Sequence, residues 1–114
     1  MLPDFPTTQT CRIATRGRRT GVEHVVTVWF AMVGIRFHAA SRHGLSGDWL
    51  QNALAAGELE VRSGKTSWRG PASLVPADEV AVVLDAFAAK YDQYPAIIAA
   101  WREDPPVFVR ADLA

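Results

Sequence analysis

Short apolar runs joined by short connections are the feature that most constrains what this chain can fold into. Strands are predicted over 11–15, 24–30, 35–40, 59–62, 66–75 and 106–110. Parallel neighbours need a crossover of about a dozen residues or more, whereas hairpins need only two to five. Antiparallel pairing is therefore expected, with Gly34 closing one hairpin and Ser63-Gly64-Lys65 turning another.

The predicted strands differ in how much of each face they bury. Both faces of 24–30 are largely apolar, which predicts a central strand buried on both sides. In 35–40, Ile35, Phe37 and Ala39 alternate with two polar residues, the pattern of a half-buried strand. Pro71 lacks an N–H group and predicts a bulge or an edge within 66–75.

Three helices are predicted beside these strands. A short amphipathic helix over 48–56 ends at Gly57, a longer one covers 77–92, and Pro95 opens a third that runs to about residue 101. The economical architecture is mainly β with flanking helices (α+β), an antiparallel sheet curled into a small barrel. Residues 1–10 are expected to be a flexible lead, and 11–114 a single domain.

Composition and charge exclude several classes of protein. No apolar run approaches the ~20 residues of a membrane span, and the first residues lack the character of a signal peptide. A lone cysteine, Cys11, fits a reducing cytoplasm. Residues 1–47 hold six basic and two acidic residues, and 48–114 hold six and ten. This split argues against nucleic-acid binding, which needs a broad basic face, and favours a local anion site in the first half.

Familiar catalytic motifs are missing from the sequence. His24, His38 and His43 do not have the spacing of a zinc motif, so no metal is expected. No G-x-S-x-G elbow suggests a hydrolase, and no G-x-G-x-x-G or Walker loop suggests a nucleotide site of those types.

The stretch RGRRTG, residues 16–21, is the strongest candidate for a binding site. Its glycines allow backbone N–H groups to converge, and Arg18 and Arg19 add forked donors that match a phosphate or carboxylate. Thr20 adds a hydroxyl group, and Arg42 lies in a second loop that leads to a helix N-terminus. The alternative, a solvated basic turn at the end of a sheet, stays open at this point.

The order of several segments is similar to that of a known family. TRGRRTG, AASRHG, DWLQNALAAG, KYDQYP and PPVFVR, spread over roughly 11–110, together resemble the deazaflavin-dependent nitroreductase family. The resemblance implies an antiparallel split β-barrel of the FMN-binding, pyridoxamine-phosphate-oxidase-like type. It also implies coenzyme F420 as the cofactor.

The resemblance assigns roles to individual residues. Cofactor binding is implied for the matching positions Arg18, Arg19, Thr20, His24, Trp29, Ser41, Arg42, Trp49 and Asn52. Tyr91 and Tyr94 match two of the tyrosines that close the substrate pocket, and are the candidate catalytic residues. Burial in a core would equally explain Trp29, Trp49 and Tyr91.

The implied activity is transfer of a hydride from reduced deazaflavin to a small or lipophilic electrophilic acceptor, with the cofactor supplying the chemistry. Two alternatives remain: an FMN-dependent oxidoreductase of the same fold, and a non-catalytic protein that binds a cofactor or a lipophile. The resemblance also favours a homodimer.

Overall fold

Six antiparallel strands close into a barrel in the computed structural model, which describes residues 8–41 and 44–113. The strands are β1 (Thr10–Arg16), β2 (Glu23–Val33), β3 (Arg36–Ser41), β4 (Glu58–Ser63), β5 (Thr66–Leu74) and β6 (Val107–Ala111). Their order around the barrel is β1-β2-β3-β6-β5-β4, and β4 pairs back with β1. The predicted antiparallel barrel is confirmed.

Two long strands each change partner along their length. β2 pairs with β1 up to Trp29 and with β3 from Phe30 onward. β5 pairs with β4 up to Pro71 and with β6 from Ala72 onward. The sequence predicted a bulge or an edge at Pro71, and the structure places this residue at the exchange of partners. Gly70 is crossed there by the backbone of Asp112, whose carbonyl oxygen lies only 1.8 Å from where a Cβ of residue 70 would stand.

The barrel interior forms one of two hydrophobic cores. Side chains from the strands, among them Ile13, Phe30, Phe37 and Val61, meet there with almost no exposed surface. Helix α1 (Asp48–Ala56) contributes Leu50 and two neighbours to the same core. α1 ends at Gly57, whose φ of 73° is the left-handed conformation that favours glycine at a helix end.

The second core lies between the outside of the barrel and two further helices. After the short 3₁₀ turns Gly44–Ser46 and Ala77–Glu79, the chain forms α2 (Val80–Lys90) and, after a turn, α3 (Pro95–Glu103). Phe87 packs there against Phe108 of β6 and against Tyr91. Among the described residues, no helix has the length and apolar character needed to cross a membrane.

Three predictions about burial were wrong. The outer face of β2 is open in its first half, with Val25 44% exposed, because the second core begins only at Trp29. Ile35 is 64% exposed and lies in the turn with Gly34 rather than on the buried face of β3. His38, expected on the exposed face of β3, is buried, because Ala31 and Ala40 on the same face belong to the second core, to which α2 and α3 also contribute.

Candidate functional site

The turn between β1 and β2 folds back tightly on itself. Gly17 donates its backbone N–H to Val22 O at 2.8 Å, and Gly21 donates to Gly17 O at the same distance. A Cβ at position 17 would lie 2.7 Å from Thr20 Oγ1 and 3.3 Å from His24 Nε2. A larger residue at position 17 would therefore require the Thr20 side chain to move away from the backbone.

Hydrogen bonds to the side chain of Asn52 anchor this turn to helix α1. Its Oδ1 accepts hydrogen bonds from the backbone N of Arg18 at 3.1 Å and from Arg18 Nη1 at 2.8 Å. Its Nδ2 lies 3.4 Å from Thr15 Oγ1, and the residue is 2% exposed. A buried amide thus fixes both the backbone and the guanidinium of Arg18.

A pocket of about 200 Å³ opens beside the turn. Its lining residues are Gly17, Arg18, Arg19, Thr20, His24, Asp48 and Asn52. The structure therefore brings together five of the nine residues to which cofactor binding was assigned. Asp48, which sequence reasoning missed, places a carboxylate oxygen 3.8 Å from Arg18 Nη1.

The structure places Ser41, Trp49 and Trp29 outside this pocket. Ser41 is buried and donates its hydroxyl to Gly44 O at 2.7 Å, so it supports the loop that follows β3. Trp49 is buried in the barrel core. Arg42 and His43 fall outside the described residues. The cofactor-binding roles of all nine assigned residues, those in the pocket included, stay predictions.

An aromatic cluster lies further along β2, on the outer face. The ring of Trp29 stacks on the ring of Tyr91, with centroids 4.0 Å apart and planes 5° apart. Tyr94 approaches the same indole at 5.2 Å and is 37% exposed. Its hydroxyl accepts a hydrogen bond from Gln9 Nε2 at 2.9 Å.

Tyr91 and Tyr94 differ in the surroundings of their hydroxyl groups. Tyr91 is buried, and its oxygen accepts from Phe30 N at 3.0 Å and donates to Gln9 O at 2.5 Å. Burial raises the pKa of Tyr91 to about 12. Tyr91 therefore acts as a structural link, whereas Tyr94 presents its hydroxyl at the surface. Their catalytic assignments stay predictions.

Lys90 and Gln9 are neighbours of this cluster that sequence reasoning missed. Lys90 Nζ donates to Phe30 O at 2.9 Å and stands 3.1 Å from the centroid of the Phe30 ring. Burial lowers the pKa of Lys90 to about 8. No sequence signal marks Gln9, because its contacts with the two tyrosines span more than eighty residues of chain.

A second pocket of about 230 Å³ shares Asn52 with the first and is lined by more charged groups. Arg62 bonds to Glu23 and Glu60, each at 2.5 Å, and Arg69 bonds to Glu60 at 2.8 Å. The hydrogen bonds from Arg62 lower the pKa of both carboxyl groups. Arg62 and Arg69 are thus paired with glutamates, and the three arginines of this pocket are balanced by three glutamates, whereas the first pocket has two arginines and one aspartate. The described residues contain no group of three His, Cys, Asp or Glu placed to hold a metal ion.

Solved structures share this architecture at low sequence identity. A protein of unknown function from Agrobacterium tumefaciens superposes with a TM-score of 0.71 at 14% identity, over 91% of this chain and 47% of that one. An F420-H2 dependent reductase, FDR-A, superposes with a TM-score of 0.70 at 14% identity, over 90% of this chain and 93% of that one. A FAD-binding protein from Mesorhizobium loti superposes with a TM-score of 0.64 at 16% identity, over 94% of this chain and 82% of that one. The chain thus spans about half the length of the Agrobacterium protein.

The closed antiparallel barrel defines the class of protein: a split β-barrel, the fold that this chain shares with FDR-A and with the Mesorhizobium loti protein. No protein of curated function matches the sequence. The family model described as F420H(2)-dependent quinone reductase matches residues 3–112, and the chain belongs to that family. The predicted resemblance to a deazaflavin-dependent family is confirmed.

Proposed function

We propose that this protein binds the anionic tail of reduced coenzyme F420 in the pocket beside Arg18 and reduces a small or lipophilic acceptor of the quinone type. One observation carries the proposal. Residues distant in sequence, Arg18 and Arg19 on the turn and Asn52 on α1, converge on a single pocket in a chain that belongs to an F420-dependent family.

The residues of this pocket fit a phosphate group. Guanidinium groups donate forked hydrogen bonds to phosphate oxygens, and the Thr20 hydroxyl adds a further donor. Arg18 is held in place by Asn52 before any ligand arrives, so less conformational entropy is lost when it binds an anion. A well-solvated turn would not need a buried amide to fix its arginine.

The aromatic cluster is the candidate binding site for the ring of the cofactor and for the acceptor. Trp29 lies five residues beyond His24 on β2, which corresponds to roughly 17 Å along an extended strand. A long cofactor with an anionic tail can span such a distance. The odd spacing places the two side chains on opposite faces of β2, so the cofactor has to leave the face of His24 before it reaches Trp29. The flat Trp29 and Tyr94 side chains offer apolar surface to an aromatic ring.

Reduction of a quinone to a hydroquinone consumes one hydride and one proton. Bound reduced F420 supplies the hydride, and the protein contributes orientation and electrostatics. Tyr94 is the residue best placed to donate a hydrogen bond to an acceptor carbonyl. Its oxygen accepts from Gln9 Nε2, which leaves its own proton available to donate outward. Solvent replaces the proton that the acceptor takes.

Fluorescence titration with F420 tests the tail site directly. We expect Arg18→Ala/Arg19→Ala to weaken F420 binding at least about tenfold, the loss that accompanies removal of charge-assisted hydrogen bonds. Lys65→Ala/Arg102→Ala removes the same charge outside the pocket and is the matched control. Absence of F420 binding, or equal affinity in the double variant and the control, would overturn the proposal.

FMN is the second candidate cofactor, because the same fold is found in a FAD-binding protein. A parallel titration with FMN decides between the two. Binding of either ligand without reduction of any quinone acceptor would favour the non-catalytic alternative. The expected homodimer stays a prediction, for which sedimentation analysis is the measurement.

A further inference from the structure

Gln9 connects the two tyrosines of the aromatic cluster. It precedes β1, whose Thr10 pairs with Trp29, so it lies at the end of the strand pair that carries this cluster. Its backbone carbonyl accepts the Tyr91 hydroxyl at 2.5 Å, and its Nε2 donates to the Tyr94 hydroxyl at 2.9 Å. One residue thus contacts the buried tyrosine through its backbone and the surface tyrosine through its side chain.

The hydrogen bond that holds the backbone of Gln9 has a fixed direction. The Tyr91 oxygen accepts from Phe30 N at 3.0 Å, so its own proton goes to another acceptor. Two carbonyl oxygens are within reach, Gln9 O at 2.5 Å and Phe30 O at 3.1 Å. Gln9 O is the nearer one, and Lys90 Nζ already donates to Phe30 O at 2.9 Å. The Tyr91 proton therefore goes to Gln9 and fixes the point from which the Gln9 side chain extends.

The Gln9 side chain in turn determines which way the Tyr94 hydroxyl points. An amide nitrogen carries protons and no available lone pair, so Nε2 can only donate. The Tyr94 oxygen accepts that hydrogen bond, and the proton of Tyr94 therefore points away from Gln9. Tyr94 is 37% exposed, so a ligand can reach this hydroxyl.

We propose that Gln9 is a positioning residue for quinone reduction, which holds the Tyr94 hydroxyl as a hydrogen-bond donor toward the acceptor carbonyl. This inference rests on the proposed function, since it assumes that Tyr94 meets the acceptor. Hydride transfer places negative charge on the acceptor oxygen before a proton from solvent neutralises it. A donor that is already aimed at this oxygen stabilises the charge without having to reorient.

The test compares Gln9→Glu with Gln9→Met in the reduction of menadione, a naphthoquinone, by reduced F420. A carboxylate has nearly the shape of the amide but only accepts, so it turns the Tyr94 proton inward. Methionine has a similar length and leaves the hydroxyl free to take either of its two orientations in the ring plane. We expect kcat to fall about tenfold in Gln9→Glu, the loss of one hydrogen bond to developing charge, and about twofold in Gln9→Met.

A purely structural role for Gln9 predicts the reverse order. Glutamate still bonds Tyr94 whereas methionine does not, so a tether would suffer more from Gln9→Met. Gln9→Glu should also leave the urea unfolding midpoint and the F420 affinity unchanged. It should cause no additional loss of kcat when Tyr94→Phe is already present, because Gln9 acts through Tyr94.

Gln93→Glu is the matched control. Gln93 is exposed in the turn that leads to Tyr94, so this variant adds the same charge close to the same tyrosine. We expect it to keep full kcat. A loss equal to that of Gln9→Glu would mean that charge alone slows the reaction, and would overturn the proposal.

The remaining outcomes separate this proposal from the proposed function. In the protein without F420, the NMR signals of the Gln9 side-chain amide should shift in Tyr94→Phe, and unchanged signals would overturn the role of Gln9. Full kcat in Gln9→Glu, or a greater loss in Gln9→Met, would overturn it as well. In each of these cases menadione reduction by wild type leaves the proposed function standing. If wild type does not reduce menadione, both proposals fall.

Discussion

Replacement of Asn52 by alanine should release the Arg18 turn and weaken both the fold and the pocket. The change removes two hydrogen bonds from Arg18, at 3.1 Å and 2.8 Å, to a residue that is 2% exposed. The backbone bond contributes about 1 kcal/mol, and the bond from the partly exposed guanidinium about 1.5 kcal/mol. The higher helix propensity of alanine offsets up to about 0.7 kcal/mol of this loss in unfolding free energy. The free energy of unfolding should therefore fall by about 2 kcal/mol.

Urea unfolding followed by tryptophan fluorescence measures this loss. With a slope of roughly 2 kcal/mol per molar urea, the midpoint should move down by about 1 M. F420 titration of the same sample should show at least about tenfold weaker binding, because Arg18 is no longer held in position. Gln51→Ala is the control, since that neighbouring amide bonds Leu45 O in an exposed place. An unfolding midpoint and an F420 affinity equal to those of wild type would refute the anchoring role of Asn52.

Four further predictions each concern a single residue. Gly70→Ala should prevent closure of the barrel, because its Cβ would meet Asp112 O at 1.8 Å; a native circular dichroism spectrum and melting temperature would contradict this. Burial lowers the pKa of His38 below its ordinary value of 6.5, and its Nδ1 has no hydrogen-bond partner among the residues that the structure describes, so the unfolded chain binds a proton more readily. Stability should therefore fall as pH drops below about 6.5, by an amount that His38→Gln reduces in pH-dependent urea unfolding. Tyr91→Phe should lower the unfolding free energy by about 1–2 kcal/mol. Tyr94→Phe should leave stability within about 0.5 kcal/mol and lower kcat for quinone reduction, and a full kcat would remove Tyr94 from the reaction.

Much of the fold followed from local pattern. Alternation, short connections and the glycine at position 57 predicted the strands, the barrel and the end of α1, because each depends on a few neighbouring residues. Which face of each strand is buried could not be predicted from the local pattern. Val25 is apolar and exposed while His38 is polar and buried, since the answer depends on where α2, α3 and the neighbouring strands cover the barrel.

The candidate site, too, was predicted only in part from the sequence. The sequence by itself determined that arginines and glycines gather in one turn, and that their order matches a cofactor-binding family. Only the tertiary structure decided that Asn52, thirty-four residues after Arg18, anchors the turn, and that Asp48 shares its pocket. It also decided that Gln9 meets Tyr91 and Tyr94. Such contacts arise when the barrel closes and brings distant segments together. They therefore cannot be predicted from the spacing of residues along the chain.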